Sequence, residues 1–380
     1  TNWSSPSNAV SVGTPNINWV VVKACPRRDE YIAVTLDTTR AVKAQVFTNG
    51  SWGNLKTITN VPNARFRGVD IAYETLSGDA MVVAANPTTV TWSIWNGAAW
   101  TGPSNLSIST NVLWVKLASD PVSDEIIVMV QNARSNYTAQ VWNGDAWGSN
   151  KLPAALSSGT NYECMAVEYE TSGSQAIIVS GNGATANTTA GSKWSSWNGL
   201  VWSSERTNTI GDHLEQGFLV NDPNSDKLLL TYIDHDVNIG KLFWNGSNWT
   251  TSYTLSAGYA IADRCFQGQF ETISTNAGHA IIPYSNNNRA RFQHATDPSG
   301  ATWSTAVNVD TVAKATVQTR RTGDGKILAV FFDNGNSRYD FSWHNGIAWS
   351  AMLTLENEPS VLATPFKEPF MMAPQLWVLP

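Results

Sequence analysis

Carboxylate side chains are the first candidates for chemistry in this sequence, because hydrolysis of a glycosidic bond needs two of them facing each other. Nine of the 30 Asp and Glu residues lie in Asp-Pro, Gly-Asp or Ser-Asp sequences, where turn formation explains them without a function. Four glutamates lie instead on predicted inner strands and are the better candidates for a site: Glu168, Glu170, Glu215 and Glu271. The alternative interpretation is a hydrated, mildly acidic channel wall.

Metal ligands are the second kind of chemistry to consider. Asp234-His235-Asp236 could offer oxygen ligands to a cation. The segment lies at a predicted hairpin tip, however, and three neighbours on a strand do not all face one point. The five His are scattered, and the three Cys form neither a metal spacing nor a disulfide framework. We therefore expect no metal, no cofactor and no catalytic residue.

Tryptophan forms the strongest pattern, because most of the 18 Trp residues belong to one repeated motif. Trp-Asn-Gly-x-x-Trp occurs at residues 95–100, 142–147, 197–202 and 244–249, and degenerate copies end at Trp52, Trp303 and Trp349. The last Trp of each copy recurs every 46 to 55 residues. Such a period indicates a repeat architecture, in which each unit buries its face against a neighbour.

Each repeat contains four short predicted strands. In the third repeat, Val112 to Leu117, Glu125 to Val130 and Tyr137 to Trp142 are predicted strands, and a more polar fourth strand begins at Trp147. The Asn-Gly pair before the fourth strand is typical of a hairpin. The second strands are nearly continuous apolar runs, as expected when both faces of a strand are covered. Four strands in about 40 to 50 residues predict a β-propeller blade.

The chain, residues 1–380, is therefore predicted to be a single all-β propeller domain, with complete repeats from about residue 17 to about residue 355. Residues 1–12 resemble a fourth strand, and residues 363–380 lie where first and second strands belong. We expect them to close an eighth blade that is split between the termini. The alternative is seven blades with extra terminal strands. A split blade that lacks one strand could accept a strand from a second copy or a partner.

The repeat resembles two known groups of propellers. Its Asn-Gly-x-x-Trp turn resembles the Asp-box of sialidase-type propellers, and the nearest copy runs from Asp297 to Trp303, with Pro298 where the box has Asp. In that family the box is structural. The Trp-rich repeats also resemble tectonin-like bacterial propeller lectins. The resemblance covers nearly the whole chain and implies the propeller fold.

The resemblance to sialidases raises the possibility of a hydrolase. Such an enzyme would need three converging Arg, a Tyr nucleophile with a Glu partner, and an Asp acid. Four arginines lie in or near predicted strands: Arg67, Arg264, Arg289 and Arg320. Their spacing follows no sialidase arrangement, and the adjacent Glu30 and Tyr31 point to opposite faces of a strand. We therefore expect no enzymatic activity, with a sialidase-like glycoside hydrolase as a second alternative.

The paired tryptophans have two interpretations. An exposed indole can stack on the face of a sugar, whereas a Trp on either side of a hairpin can wedge between blades. The regular placement favours the structural role, while one Trp of each pair can still reach the rim. The predicted ligand-binding residues are the second tryptophans Trp52, Trp100, Trp147, Trp202, Trp249 and Trp349.

Composition restricts the partners. The net charge is −6, and Lys and Arg form no run beyond pairs, so no basic stripe exists for nucleic acid. No apolar run approaches the roughly 18 residues of a membrane span. Only 14% of residues are charged, and the abundant Ser, Thr, Asn and Gly are typical of a β-rich secreted or cell-surface protein. The predicted N-glycosylation sites are Asn49, Asn105, Asn136, Asn187, Asn245 and Asn248.

The sequence thus predicts a non-catalytic extracellular propeller that acts as a binding or adhesion scaffold for carbohydrate or protein surface ligands. The first alternative is a structural subunit of an extracellular filament or surface layer, which would assemble by self-association through the terminal strands. The sequence does not identify a ligand.

Overall fold

The computed structural model describes residues 10–357, apart from residue 14 and residues 134–135, 156–161, 173–174, 183–190, 251–252, 257–265, 274–275, 287–288, 314–316, 334–335 and 337. The chain divides into two compact units, residues 1–154 and 155–380. Regular structure in the described part consists of strands. It contains no helix that is long and apolar enough to cross a membrane.

The first unit has three four-stranded antiparallel sheets, in which each strand pairs with the next along the chain. Sheet 1 comprises β1 (Ile17–Ala24), β2 (Glu30–Asp37), β3 (Ala41–Thr48) and β4 (Ser51–Asn60). Sheet 2 comprises β5 (Val69–Tyr73), β6 (Ala80–Ala85), β7 (Val90–Trp95) and β8 (Ser104–Leu106). Sheet 3 comprises β9 (Val112–Ser119), β10 (Ile126–Asn132), β11 (Asn136–Trp142) and β12 (Trp147–Ala155).

The second unit has four sheets of the same kind. Sheet 4 comprises β13 (Met165–Tyr169), β14 (Ala176–Gly181), β15 (Ser192–Trp197) and β16 (Arg206–Asn208). Sheet 5 comprises β17 (Leu214–Asn221), β18 (Leu228–Asp234), β19 (Ile239–Trp244) and β20 (Tyr253–Ser256). Sheet 6 comprises β21 (Gln269–Phe270), β22 (Ala280–Asn286), β23 (Arg289–His294) and β24 (Val307–Ala313). Sheet 7 comprises β25 (Val317–Arg321), β26 (Ile327–Asp333), β27 (Arg338–His344) and β28 (Leu353–Asn357).

The second strand of a sheet forms its core. Every residue of β2, β6, β10, β14 and β18 is buried, because these strands pair on both edges and are covered on both faces. Their continuous apolar sequences follow from that environment. The fourth strands β4, β8 and β16 are mostly exposed or half-buried, which agrees with their polar sequences.

The Asn-Gly of the motif forms one recurring turn. The Asn Oδ1 accepts the backbone N–H groups of the second and third following residues at 2.8 to 3.1 Å, and this occurs at Asn96, Asn143, Asn198, Asn245 and Asn345. The glycine that follows each has a φ of 83° to 98°, a conformation that favours glycine. In sheet 6 the Asp297 carboxylate accepts from the backbone of Ser299 and Thr302 instead. The motif is therefore a side-chain-stabilised turn between the third and fourth strands.

The all-β prediction is confirmed, since seven four-stranded sheets that fit a β-propeller lie among the described residues. The strands predicted for the third repeat match β9, β10 and β11 to within two residues at each end. The predicted closing strands fall mainly on residues 1–9 and 358–380, outside the described residues, and residues 10–12 form no strand. The eighth, split blade therefore stays a prediction.

Candidate functional site

In four copies of the motif, the first aromatic residue is buried and its ring nitrogen lies against a carboxylate of the preceding sheet. These contacts are Trp95 Nε1 to Glu30 Oε2 at 2.8 Å, Trp142 Nε1 to Glu74 Oε1 at 2.6 Å, Trp244 Nε1 to Glu170 Oε1, and His344 Nδ1 to Glu271 Oε1 at 3.0 Å. A buried N–H without an acceptor costs about 1 to 3 kcal/mol. The carboxylates therefore link adjacent sheets, and the first Trp has a structural role.

The second tryptophan of the motif is half-buried, and where the first residue is aromatic the two rings pack at an inclined angle. The ring centroids are 5.5 Å apart for Trp95 and Trp100, and 5.6 Å apart for Trp244 and Trp249. An aromatic residue on the third strand of the preceding sheet often completes the packing. Trp194 of sheet 4, for example, lies 6.5 Å from Trp249 of sheet 5. The second tryptophans therefore line the seams between adjacent sheets.

All six predicted ligand-binding tryptophans occupy this half-buried position: Trp52, Trp100, Trp147, Trp202, Trp249 and Trp349. The Nε1 atoms of three of them, Trp147, Trp249 and Trp349, are buried and have no hydrogen-bond acceptor among the described residues. The solvent-facing part of these indoles is therefore the carbon part of the ring. A carbon edge suits packing against the C–H face of a sugar rather than hydrogen bonding.

Charged side chains accompany one of these seams. At the outer edge of sheet 4, the Arg206 guanidinium lies 5.1 Å from the ring centroid of Trp194. Lys193 of β15 forms an ion pair of 2.9 Å with Glu205, the residue directly before β16. Trp194 packs in turn against the half-buried Trp249. The seam between sheets 4 and 5 therefore has the half-buried Trp249 together with hydrogen-bonding groups of both charges close to the buried Trp194.

The carboxylates considered for catalysis have other roles. Glu170 accepts the indole N–H of Trp244, and Glu271 lies against His344. Glu168 accepts the backbone N–H of its neighbour Tyr169. Glu215 is buried against two histidines. The structure therefore does not bring these four glutamates together as a pair of facing acids.

The arginines considered for a sialidase site differ in burial and in hydrogen-bond partners. Arg67 is buried and lies 3.4 Å from Asp70, whereas Arg289 is exposed at the start of β23. Arg320 is half-buried and donates to the carbonyl of Thr319. Arg264 lies outside the described residues. The described arginines occupy different environments, which gives no indication of a shared anion site.

Burial shifts the pKa values of ionisable groups in the seams between sheets. It raises the pKa of Glu74 and of Glu170, while the N–H donors of Trp142 and Trp244 pull in the opposite direction. In the seam between sheets 5 and 6, burial lowers the pKa of Lys241 to about 7. The Lys241 Nζ lies 3.7 Å from the ring centroid of Trp303. Both kinds of group are shifted towards their neutral forms, because a low-dielectric environment disfavours charge.

Sequence reasoning missed several of these groups. Lys193, Glu205 and Arg206 belong to no motif, and only the fold places them beside a tryptophan. The buried Lys241 breaks an otherwise apolar strand, which was the available signal. His213 escaped notice as well, because it lies far along the chain from its partner His235.

The predicted glycosylation sites lie mostly at the surface. Asn49, Asn105, Asn245 and Asn248 are exposed, Asn136 is half-buried, and Asn187 lies outside the described residues. The side chain of Asn245 also holds the motif turn through its Oδ1. Glycosylation at these positions stays a prediction.

No family model and no curated protein matches the sequence. Among solved structures, the chain is similar to the BP39L lectin from Burkholderia pseudomallei, with a TM-score of 0.63 and 10% identity over 90% of this chain and 99% of that chain. Two structures of the Aleuria aurantia lectin have TM-scores of 0.48 and 0.45. One, a complex with α-methyl-L-fucoside, is 11% identical over 92% of this chain and 99% of that chain. The other, described as a six-bladed β-propeller, is 12% identical over 92% and 98%. The likeness to the BP39L lectin shows a shared fold.

Proposed function

We propose that this chain is a non-catalytic carbohydrate-binding β-propeller, whose ligand sites lie beside the half-buried second tryptophans of the motif. The observation that carries the proposal is the repeated exposure of an indole edge whose nitrogen is buried, as at Trp147, Trp249 and Trp349. Such an edge offers a rigid apolar surface at little conformational cost. The fold that this chain shares with a lectin supports the same function.

The seam between sheets 4 and 5 carries the most polar side chains among these sites. The half-buried Trp249 supplies aromatic surface, while Arg206, Lys193 and Glu205 supply donors and acceptors near the buried Trp194 on which it packs. Sugars present C–H faces together with hydroxyl groups, so they need both kinds of contact. We therefore expect this seam to bind the ligand more tightly than seams without charged neighbours.

The absence of catalysis forms part of the proposal. The best-placed carboxylates are engaged with aromatic nitrogens, as Glu170 is with Trp244 and Glu271 with His344. A retaining or inverting hydrolase needs two acids that face one bond across a cleft. Incubation with fluorogenic glycosides, sialosides included, is expected to release no product, and steady turnover would contradict this part.

The test of binding is a glycan array followed by titration calorimetry with the best ligand. The variant Trp249→Leu removes the aromatic edge in the seam between sheets 4 and 5 and is expected to lower the number of bound ligands per chain by one. The matched control is Trp343→Leu, which changes a half-buried tryptophan that is not the second tryptophan of a motif. Thermal unfolding of each variant checks that the fold is kept.

Two results would contradict the proposal. The first is a folded wild-type protein that retains no glycan on the array. The second is a Trp343→Leu variant that loses as many sites as Trp249→Leu, because the loss would then reflect general loosening of the sheets.

Secretion or surface display is the further part of this proposal, and exposed sequons such as Asn49 and Asn248 motivate it. Expression in a glycosylating host is expected to add mass that a glycosidase removes. Assembly into filaments through the terminal strands is the alternative. Light scattering that detects only monomers at increasing concentration would exclude that alternative.

A further inference from the structure

Two histidines and a glutamate meet where β17 begins and β18 ends. His213 Nε2 lies 3.1 Å from Glu215 Oε1, and His235 Nδ1 lies 3.0 Å from the same oxygen. One ligand atom from each of the three residues lies within 4.8 Å of the others. His213 and Glu215 are buried, whereas the His235 side chain is 44% exposed. The three residues therefore converge on one point that solvent can reach.

A β-bulge directs Glu215 to this point. In the pairing of β17 with β18, Leu214 lies opposite Asp234 and Gln216 opposite Ile233, so Glu215 is the additional residue. A bulge changes the direction of a side chain relative to regular alternation, and bulges are frequent beside functional sites. The carboxylate of Glu215 thereby reaches both imidazole rings.

The same backbone corner occurs in two other sheets with different side chains. In all three, the residue after the second strand donates its N–H to the carbonyl of the residue before the first strand, at 2.8 to 2.9 Å. The bulge also recurs at the start of β1 and β9. The residues equivalent to His213, Glu215 and His235 are Asn16, Asn18 and Thr38 in sheet 1, and Asn111, Leu113 and Ala133 in sheet 3. The backbone corner therefore forms without histidine or glutamate, and the fold does not require these three side chains.

A second carboxylate stands behind the buried histidine. Asp212 Oδ1 lies 3.0 Å from His213 Nδ1. The angle between these two groups is not that of a hydrogen bond. Metal-binding histidines usually direct their second ring nitrogen at a carboxylate, which orients the ring. The other oxygen of Asp212 is buried without a hydrogen-bond partner. Asp212 thus occupies the place of such an orienting partner.

We propose that His213, Glu215 and His235 form a binding site for a divalent transition-metal ion, with Zn²⁺ as the preferred ion. Two imidazoles and one carboxylate are a usual zinc ligand set, and a fourth position open to solvent completes the tetrahedron. The ion would stand between ring nitrogens and the Glu215 carboxylate, and it would neutralise negative charge that Asp212 and Glu215 bring into a buried corner.

Only a small rearrangement separates this arrangement from a tetrahedral site. Ligand atoms about 2.0 to 2.1 Å from zinc lie roughly 3.3 Å apart, close to the observed 3.0 and 3.1 Å between the histidine nitrogens and Glu215. The two rings are stacked with centroids 4.3 Å apart, so at least one ring must turn to direct both nitrogens at one ion. The exposed His235 can supply that movement, because it begins the turn after β18.

The experiment uses the full chain without a histidine tag, treated with a chelator and then titrated with Zn²⁺ in a calorimeter. The wild type is expected to bind one Zn²⁺ per chain. His235→Ala removes an exposed ligand with little risk to folding, and it is expected to weaken binding by at least about 100-fold. Asp212→Asn is expected to weaken it by roughly 10-fold, the effect usual for an orienting partner.

Two control variants distinguish specific Zn²⁺ binding at these three residues from nonspecific binding to histidines or negative charge. His294→Ala removes a half-buried histidine elsewhere in the same unit, and Asp236→Asn removes an exposed negative charge next to His235. Both are expected to bind Zn²⁺ like the wild type. Co²⁺ is expected to give the intense visible bands of tetrahedral coordination in the wild type but not in His235→Ala.

The proposal is overturned by any of three results. The wild type binds no stoichiometric Zn²⁺ at micromolar ion, His235→Ala binds as the wild type does, or His294→Ala loses binding to the same extent. None of these results depends on whether the chain binds glycans, so the two proposals can fail separately.

Discussion

Sheet 5 meets sheets 4 and 6 through equivalent positions that carry different chemistry. At the junction with sheet 4, Trp194 packs on Trp244 with ring centroids 5.1 Å apart, and Glu170 accepts the Trp244 N–H. At the junction with sheet 6, the residue equivalent to Trp244 is Ala295, and the residue equivalent to Trp194 is Lys241. The Lys241 ammonium lies over the Trp303 ring instead.

This difference shows two ways of filling one space. Where both positions are aromatic, a buried carboxylate accepts the indole N–H of the first Trp of the motif. Where the first Trp of the motif is an alanine, the space admits a lysine stem whose head rests on a ring face. Burial displaces the pKa of Glu170 upwards and that of Lys241 downwards to about 7. The backbone thus tolerates either solution at these two positions.

The largest expected effect is the loss of the aromatic core at the junction of sheets 4 and 5. Trp244→Ala is expected to lower the free energy of unfolding by about 3 to 5 kcal/mol, because the ring is buried and leaves a cavity. Trp303→Ala at the other junction is expected to cost less, since that ring is half-buried. Denaturant unfolding measures both, and equal losses would show that the junctions do not differ as described.

A smaller effect is expected from removing the acceptor alone. Glu170→Leu leaves the Trp244 N–H buried without its partner and is expected to cost about 1 to 3 kcal/mol. The double variant Glu170→Leu with Trp244→Phe removes both polar groups, so it should be less destabilised than the sum of the single variants. Additive losses in this double-mutant cycle would contradict a coupled pair.

The smallest loss of stability is expected at the junction of sheets 5 and 6. Lys241→Met keeps the apolar stem and removes an amine whose burial disfavours its charged form, so it is expected to cause no loss of stability at pH 7. A lysine whose folded pKa is about 7, below its unfolded value of 10.5, binds fewer protons in the folded state between these values. The wild type should therefore gain stability relative to the variant as the pH rises from 7 to 10. Thermal unfolding at several pH values measures this difference, and a constant difference would mean that Lys241 stays charged in the folded protein.

The sequence alone was sufficient for most of the fold. The period of the tryptophan motif predicted repeated four-stranded sheets, because strand patterns and Asn-Gly turns are local properties of the chain. The apolar runs identified the buried second strands such as β6 and β10. The sequence analysis expected one Trp of each pair to reach the rim, and the structure shows that the second Trp is half-buried.

The partners across the sheets could not be predicted in the same way. Trp95 and Glu30 are 65 residues apart, and Trp244 and Glu170 are 74 residues apart. No local pattern states which carboxylate a given indole will meet. Trp194, on which Arg206 lies, likewise meets Trp249 only because sheet 4 packs beside sheet 5.

The sequence by itself thus determined the repeat, the strands and the turns, because hydrophobic periodicity and Asn-Gly chemistry act over a few residues. The tertiary structure decided which side chains share a site. His213 and Glu215 are neighbours in the chain, but a bulge in β17 and the end of β18 were needed to bring His235 to the same carboxylate oxygen. Convergence of this kind depends on strand register, which a one-dimensional pattern does not encode.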